Sequence, residues 1–465
     1  MLSPLWRGAG MDGPRAVGGV RMMDDAGVDP RDQLKRVLRL PDAVFLVVAS
    51  VIGSGIFLTP GAVAALLPHP GWILAAWLAG GALSLAGALA NAELGAMFPR
   101  AGGDYAYLRE GVHPAAGFMV GWLGFGVIYT GTIAAVAAAF AEASVTSLGW
   151  SADWILPVAI GVTVFCSTLN YIGVQWGALT NNVTSVVKLA ALFAFAMLGF
   201  ALGEGSWERL TAPAEGAASG VTISSFALAM SPVLFSYLGW NATVYVASEI
   251  RDPGRNVPQS LFVGLGLCTA VYLLINILYL YALPMAELRV AQDAGTATAT
   301  RLFGGTAALV VSLFVLISIF GTLNATVMVG PRIAYAMALD GLFVSRAGRV
   351  TTAFQTPGTA IVIQAVVSTG LLGVLRSFPS ALEFTTFAIL LAGVADVVAL
   401  FALRRRQPDR PRPYRAWGYP WTPGVYGLVC AGLALSLGLQ KPMESGVALA
   451  LVLCGLPCYA VLQRR

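Results

Sequence analysis

The chain has 465 residues, 57% of them hydrophobic and 11% charged, with a formal charge of +5. Soluble globular proteins carry about 25% charged residues, so this composition cannot supply a polar shell and excludes a soluble multihelical fold. The basic residues sit in short loops between apolar runs, which reads as membrane orientation rather than as a nucleic-acid surface.

Residues 1–36 lack the apolar core of a signal peptide and read as a disordered cytoplasmic tail. From Leu40 onward, apolar windows of about 20 residues recur, each long enough to cross a hydrocarbon layer about 30 Å thick. Twelve spans are expected, at about 41–67, 71–97, 114–148, 153–172, 177–203, 222–248, 258–283, 305–339, 357–376, 381–403, 421–440 and 443–462. The third and eighth are long enough to tilt or to project beyond the bilayer. With the N-terminus inside, 22 of the 28 Lys and Arg fall on the inner side and five on the outer, leaving Lys188 within a span. That asymmetry puts both termini in the cytoplasm of a multi-pass inner-membrane protein. The Arg404–Arg406 run reads as a stop signal at a helix end.

Two spans are interrupted. Span 1, DAVFLVVASVIGSGIFLTPGAV, has Gly53 and Gly55 at its middle and Pro60 beyond; span 6 has Pro232, Ser236 and Gly239 about its middle. In a helix interior Gly costs about 1 kcal/mol and Pro about 3. The two spans are five apart, as an inverted repeat of spans 1–5 and 6–10 requires. Broken segments at matching positions of two halves point to a transporter's binding site. Glycines that merely let helices pack closely are the alternative.

Four stretches carry a resemblance: GSGIF at 53–57, AELGAMFPRAGGDYAYL at 92–108, LFSYLGWNATVYVASEIRDPGRNVPQSL at 234–261 and GPRIAYAMALDGLF at 330–343. Together they resemble the amino acid–polyamine–organocation superfamily, and within it the bacterial relatives of the L-type amino acid transporters. The resemblance implies an all-α, LeuT-like fold of 5+5 inverted repeats with helices 1 and 6 broken, plus two further helices. The first repeat is then 37–203, the second 204–406, and an inner loop with helices 11 and 12 occupies 407–465. It implies alternating access for a zwitterionic amino acid, by exchange or uniport; proton-coupled symport of an amino acid or amine is the alternative. Animal L-type carriers hold a heavy chain through a Cys between helices 3 and 4. The corresponding SLGWSADW at 147–154 has none, so no disulfide-linked heavy chain is expected.

A dipolar substrate needs an anion site beside a cation site. A helix restarting after a break exposes unpaired N–H groups and the positive end of its dipole. Gly53, Ser54, Gly55 and Ile56 are therefore expected to hold the α-carboxylate. The carbonyls of Phe235, Ser236, Leu238 and Ile52 would accept from the α-ammonium. By resemblance Phe235 is the aromatic gate, and Lys188 stands where sodium-coupled members of the fold hold sodium, which implies sodium independence. An intramembrane lysine is a functional candidate by default. Tyr129 is expected to line the pocket. Asn324 is a candidate either for substrate contact or for an inter-helical hydrogen bond. Glu93 and Arg100, with Glu249, Arg251 and Asp252, read as an inner gate of ion pairs or as solvated charges. Asp396 is expected as a buried packing charge. The five Cys fall in apolar spans and read as buried thiols. No metal or cofactor is expected. With two His, both in loops, an enzyme finds no catalytic cluster here, and a channel finds no pore ring.

Overall fold

The computed structural model describes residues 31–211, 221–375, 378–440 and 442–463. Among them the chain is helical with no strand. The first apolar stretch ends as α1 (Leu40–Val51) and restarts as α2 (Gly55–Leu58) and α3 (Pro60–Leu66). Thr59 between the last two keeps helical dihedrals (φ −89°, ψ −22°), so they continue one another. Then come α4 (Pro70–Met97), the short α5 (Asp104–Gly111), and α6 (Pro114–Leu123) joined to α7 (Thr130–Leu148) through a π-helical stretch, Gly124–Tyr129. Next are α8 (Ile155–Tyr171) and α9 (Val174–Leu202). The sixth stretch is α10 (Ile223–Tyr237) followed by one turn, α11 (Ala242–Tyr245). The remainder is α12 (Pro253–Ala282), α13 (Met285–Leu288), α14 (Ala294–Phe303), α15 (Gly305–Val329) with α16 (Pro331–Leu339), α17 (Gly358–Leu375), α18 (Phe378–Arg406), α19 (Trp421–Gln440) and α20 (Pro442–Leu462).

Ten of these segments are long and apolar enough to cross a membrane, with two shorter apolar helices, Ile223–Tyr237 and Gly358–Gly373, among the described residues. The two longest, Pro114–Leu148 and Gly305–Leu339, run 35 residues each. Local chemistry sets the ends. His69 and His113 each precede a proline that opens a helix, and each Nδ1 accepts the N–H two residues on at 3.1 Å, which is N-capping with Pro at the first helical position. Three of the five cysteines are buried as expected; Cys454 is instead exposed on the outer surface of α20, and Cys458 is half-buried.

α1 packs against α9, α12 and α15, so the first break is enclosed by helices on several sides. The tail is only partly as expected. Arg31 pairs with Asp340 at 2.7 Å, the Gln33 N–H donates to the Tyr335 hydroxyl at 2.9 Å, and Leu34 is buried. The apolar Leu34 and Leu38 thus hold residues 31–36 against the core; residues 1–30 lie outside the described residues. Just before α1, the Leu38 N–H donates to the Glu249 carbonyl (2.9 Å) and the Arg251 N–H to that of Leu38 (2.8 Å), joining the start of helix 1 to the segment after α11.

The same end of the bundle carries the ion pairs. Arg332 and Glu249 are fully buried and paired through two bonds of 2.7 and 3.1 Å. Glu93, also buried, takes Arg404 at 2.6 Å, Arg412 at 3.2 Å and the Ala416 N–H at 2.7 Å. Arg100 pairs with Glu110, and Arg109 with Asp340. The run at 404–406 is more than a stop signal: Arg406 donates to the Gly111 and Val112 carbonyls, tying α18 to the end of α5. Removing one member of a buried pair strands the other charge, at about 3–5 kcal/mol. Arg332→Met is expected to lower the melting temperature of the purified protein markedly, read by thermal-shift size exclusion, whereas Arg301→Met, on the exposed Glu287 pair, should leave it within a degree or so.

Candidate functional site

At the first break Ile52 turns extended (φ −76°, ψ 91°) and the helix resumes at Gly55. At the second, Leu238 (ψ 150°) and the left-handed Gly239 (φ 95°) end α10. A residue with a side chain at 239 would be strained and would also press on the Ser50 carbonyl. The breaks touch: a Cβ on Gly55 would lie 2.7 Å from Ser236 Oγ and 2.9 Å from Ser236 Cα. Thr59 Oγ1 and Ser236 Oγ are hydrogen-bonded at 2.9 Å.

Ending α1 leaves carbonyls without intrahelical donors, and buried carbonyls need partners. Lys188 Nζ, on α9 and 3% exposed, donates to the carbonyls of Ile52 (2.7 Å) and Ala49 (3.2 Å). From α15, Ser318 Oγ donates to Ile52 (3.0 Å) and Thr322 Oγ1 to Ala49 (2.9 Å). From α12, the Tyr272 hydroxyl lies 2.8 Å from the carbonyl oxygens of both Val51 and Ser236, so its one proton ties the two breaks together. Tyr272, Ser318 and Thr322 were not singled out from sequence. Hydroxyls in apolar helices carry no signal until the break they serve is located.

Beside the breaks lies a cavity of about 150 Å³. Gly53, Ser54, Gly55, Tyr129, Phe235, Ser236 and Leu238 line it. Tyr129, at the end of the π-helical stretch, meets Tyr245 edge-on at 5.3 Å. The side chains of Ile52 and Ile56 are fully buried and do not line the cavity. The Ile52 carbonyl, expected to take a substrate ammonium, already accepts from Lys188 and Ser318; its two lone pairs leave no room for another donor. Asn324 stands away from the cavity. It donates to the Gly177 carbonyl (2.9 Å) and Asn181 Oδ1 (2.7 Å) and accepts from Asn170 (2.9 Å), joining α8, α9 and α15, which is the inter-helical role. The cavity runs on past Trp240 and Asn241 to Asp396 and Tyr426.

Residues 38–452 match the family model described as Amino acid permease. The chain belongs to the amino acid permease family. Its relatives are transporters, not enzymes. The chain is 32% identical to the serine/threonine exchanger SteT of Bacillus subtilis over 439 residues, covering 93% of this chain and 98% of that one. It is 28% identical to the human b(0,+)-type amino acid transporter 1, over 92% of this chain and 88% of the relative. Against the human large neutral amino acids transporter small subunit 2 it is 29% identical, over 92% of this chain and 80% of that one. In this permease the freed carbonyls of Ala49, Val51 and Ile52 depend on side chains from other helices. A hydrogen bond from a charged donor contributes about 1.5–3 kcal/mol, and a carbonyl left unpaired costs more. Lys188→Met keeps much of the volume and removes the donor. It is expected to destabilise the protein by about 2–3 kcal/mol, seen as a fall of several degrees in melting temperature and faster proteolysis near residues 49–55.

Proposed function

We propose that this permease is a sodium-independent secondary transporter that moves zwitterionic L-amino acids by alternating access, as an exchanger or a uniporter. The observation that carries this reading is the cavity between the two breaks, walled by backbone at Gly53–Gly55 and by Phe235–Leu238. The N–H groups of Gly53, Ser54, Gly55 and Ile56 receive the α-carboxylate at the restarted helix. The α-ammonium goes to the carbonyls of Phe235, Ser236 and Leu238. The first two each have one protein donor, which leaves the second lone pair. Phe235 closes over the substrate, and Tyr129 flanks it.

On this reading the ten long spans and two shorter apolar helices are twelve membrane helices in a LeuT-like arrangement, with residues 37–203 and 204–406 as the inverted halves and α19 and α20 outside them; ten spans long and apolar enough to cross a membrane support it. Lys188 brings its amino group to the carbonyls of Ala49 and Ile52, where a sodium ion would otherwise serve. On the same reading both termini lie in the cytoplasm and the protein in the cell membrane, a reading that the excess of basic residues on one side supports. The loop from Leu148 to Trp154 offers no thiol for a disulfide-linked subunit. The serine/threonine specificity in the name of the Bacillus relative makes small neutral amino acids the first substrates to test.

Counter-flow in proteoliposomes tests this directly: labelled serine, threonine, leucine and arginine outside, unlabelled inside, with sodium replaced by choline. Uptake of neutral amino acids at the same rate in choline is expected, and strict sodium dependence would overturn the Lys188 argument. Gly55→Ala drives a methyl into Ser236 and should cut counter-flow of every substrate by at least about tenfold, since overpacking costs about 1–3 kcal/mol, while the protein still reaches the membrane. Phe235→Ala should reduce flux more than it reduces thermal stability; unchanged flux would remove its gate role.

A further inference from the structure

The inner end of the cavity is closed by a group that the substrate chemistry above does not use. Asp396 on α18, 2% exposed, lines the cavity. Asp104 opens α5, 3% exposed, and α18 packs on α5. The two carboxyl groups face each other within hydrogen-bonding reach. Asp104 Oδ2 accepts a short hydrogen bond from the Tyr245 hydroxyl on α11, and Asp396 Oδ2 accepts from Asn91 Nδ2 on α4 at 2.9 Å. Oδ1 of each acid is buried with no partner.

Among the described residues no cation forms an ion pair with either acid. Around the pair stand Tyr107 on α5, Tyr129 on the π-helical stretch, Tyr245 on α11, and Tyr426 and Cys430 on α19, all neutral at ordinary pH. Arg100 is the cation of this neighbourhood, and its ion pair is with Glu110. Among the described residues neither acid forms a salt bridge. Two carboxylates in contact in a dry site repel too strongly for both to be ionised, so such a pair titrates as a unit and keeps one proton. Burial pushes the Asp104 carboxyl, which lies outside the spans, above the usual carboxylate range. The donor missing at the orphaned oxygens is that proton.

The pair also joins parts that must separate for the inner end to open. Asp104 belongs to the loop after helix 2, Tyr245 to the turn after the helix-6 break, and Asp396 to helix 10. Gly103, at φ 48°, lets the loop press against the Tyr245 ring, where a Cβ would sit 2.6 Å from Cδ1. We propose that Asp104 and Asp396 form a proton-binding site at the cytoplasmic end of the transport cavity, holding one proton while that end is closed and releasing it to the inner water when the helices part. The proton leaves the carboxyl for water as the separated acids become solvated carboxylates, and one returns from the same water on closing. This rests on the transport reading for its purpose, but the bound proton itself does not.

Homoexchange of serine in proteoliposomes, with inner pH varied at fixed outer pH, reads the coupling. Opening that requires proton loss makes exchange slow as the inner side is acidified, by at most about tenfold per pH unit for one proton. In Asp396→Asn the amide supplies Asp104 with the donor that the proton had been, and in Asp104→Asn the roles reverse, so both variants should show a flattened profile. A wild-type profile already flat, or variants that keep its slope, would overturn the proposal. Infrared spectroscopy of the purified protein at neutral pH reads the proton without any substrate. The carbonyl stretch of a protonated carboxyl is expected in the wild type and lost in both variants; a wild type without it, or a band that survives both substitutions, would also overturn the proposal. If serine and every other amino acid fail to exchange while the band behaves as expected, the transport reading fails and the proton site stands.

Discussion

A helix cannot be interrupted inside a membrane unless something else takes up the hydrogen bonds that it gives away. The arrangement around the first break follows from that requirement at residues 49–53. The α1 carbonyls are met by an ammonium from α9, two hydroxyls from α15 and a phenol from α12. These are three different helices, each held by packing along its own length. Backbone that faces a cavity at this depth is therefore rigid where it is bonded and open only where it meets Gly53–Gly55. On the proposed reading, a small dipolar solute there would meet fixed donors and acceptors without any side-chain charge having to be desolvated for it.

One end of the molecule solves a different problem. There, charged residues are plentiful, paired and wholly or largely buried: Arg332 with Glu249, Arg404 and Arg412 with Glu93, Arg109 with Asp340. Such pairs add little net stability over apolar packing, but they have sharply defined partners. They hold the segments that they join in one register. The Asp104–Asp396 pair stands apart from this set because its two members carry the same sign.

Much of this was legible in the sequence. Length and hydropathy marked the ten helices that are long and apolar enough to cross a membrane among the described residues, including the two 35-residue ones, since a bilayer imposes its thickness on the pattern directly. Pro232 sits within α10, which runs through it to Tyr237, but Gly53, Gly55 and Gly239 marked the interruptions because helix breakers are costly in spans. Lys188 stood out for the same reason. What escaped was pairing between distant residues. Nothing local to Tyr272 announces that its hydroxyl sits between the carbonyls of Val51 and Ser236, 221 and 36 residues away. Glu93 and Arg404 are 311 residues apart, and Asn91 and Asp396 are 305 apart. Asn324 could be read two ways from its helix alone. The partners Asn170 and Asn181 decide it, and they lie on other helices.

The donors that hold the first break arrive late along the chain. Ala49 to Ile52 are made first, Lys188 about 140 residues later, Tyr272 after that, and Ser318 and Thr322 last. A growing chain enters the bilayer from its N-terminus. Until the ribosome has passed position 322, the first helix lacks part of the company that its interruption requires. The first helix therefore has reason to remain a plain, unbroken rod during insertion and to unwind only once the second half of the protein has arrived to receive it.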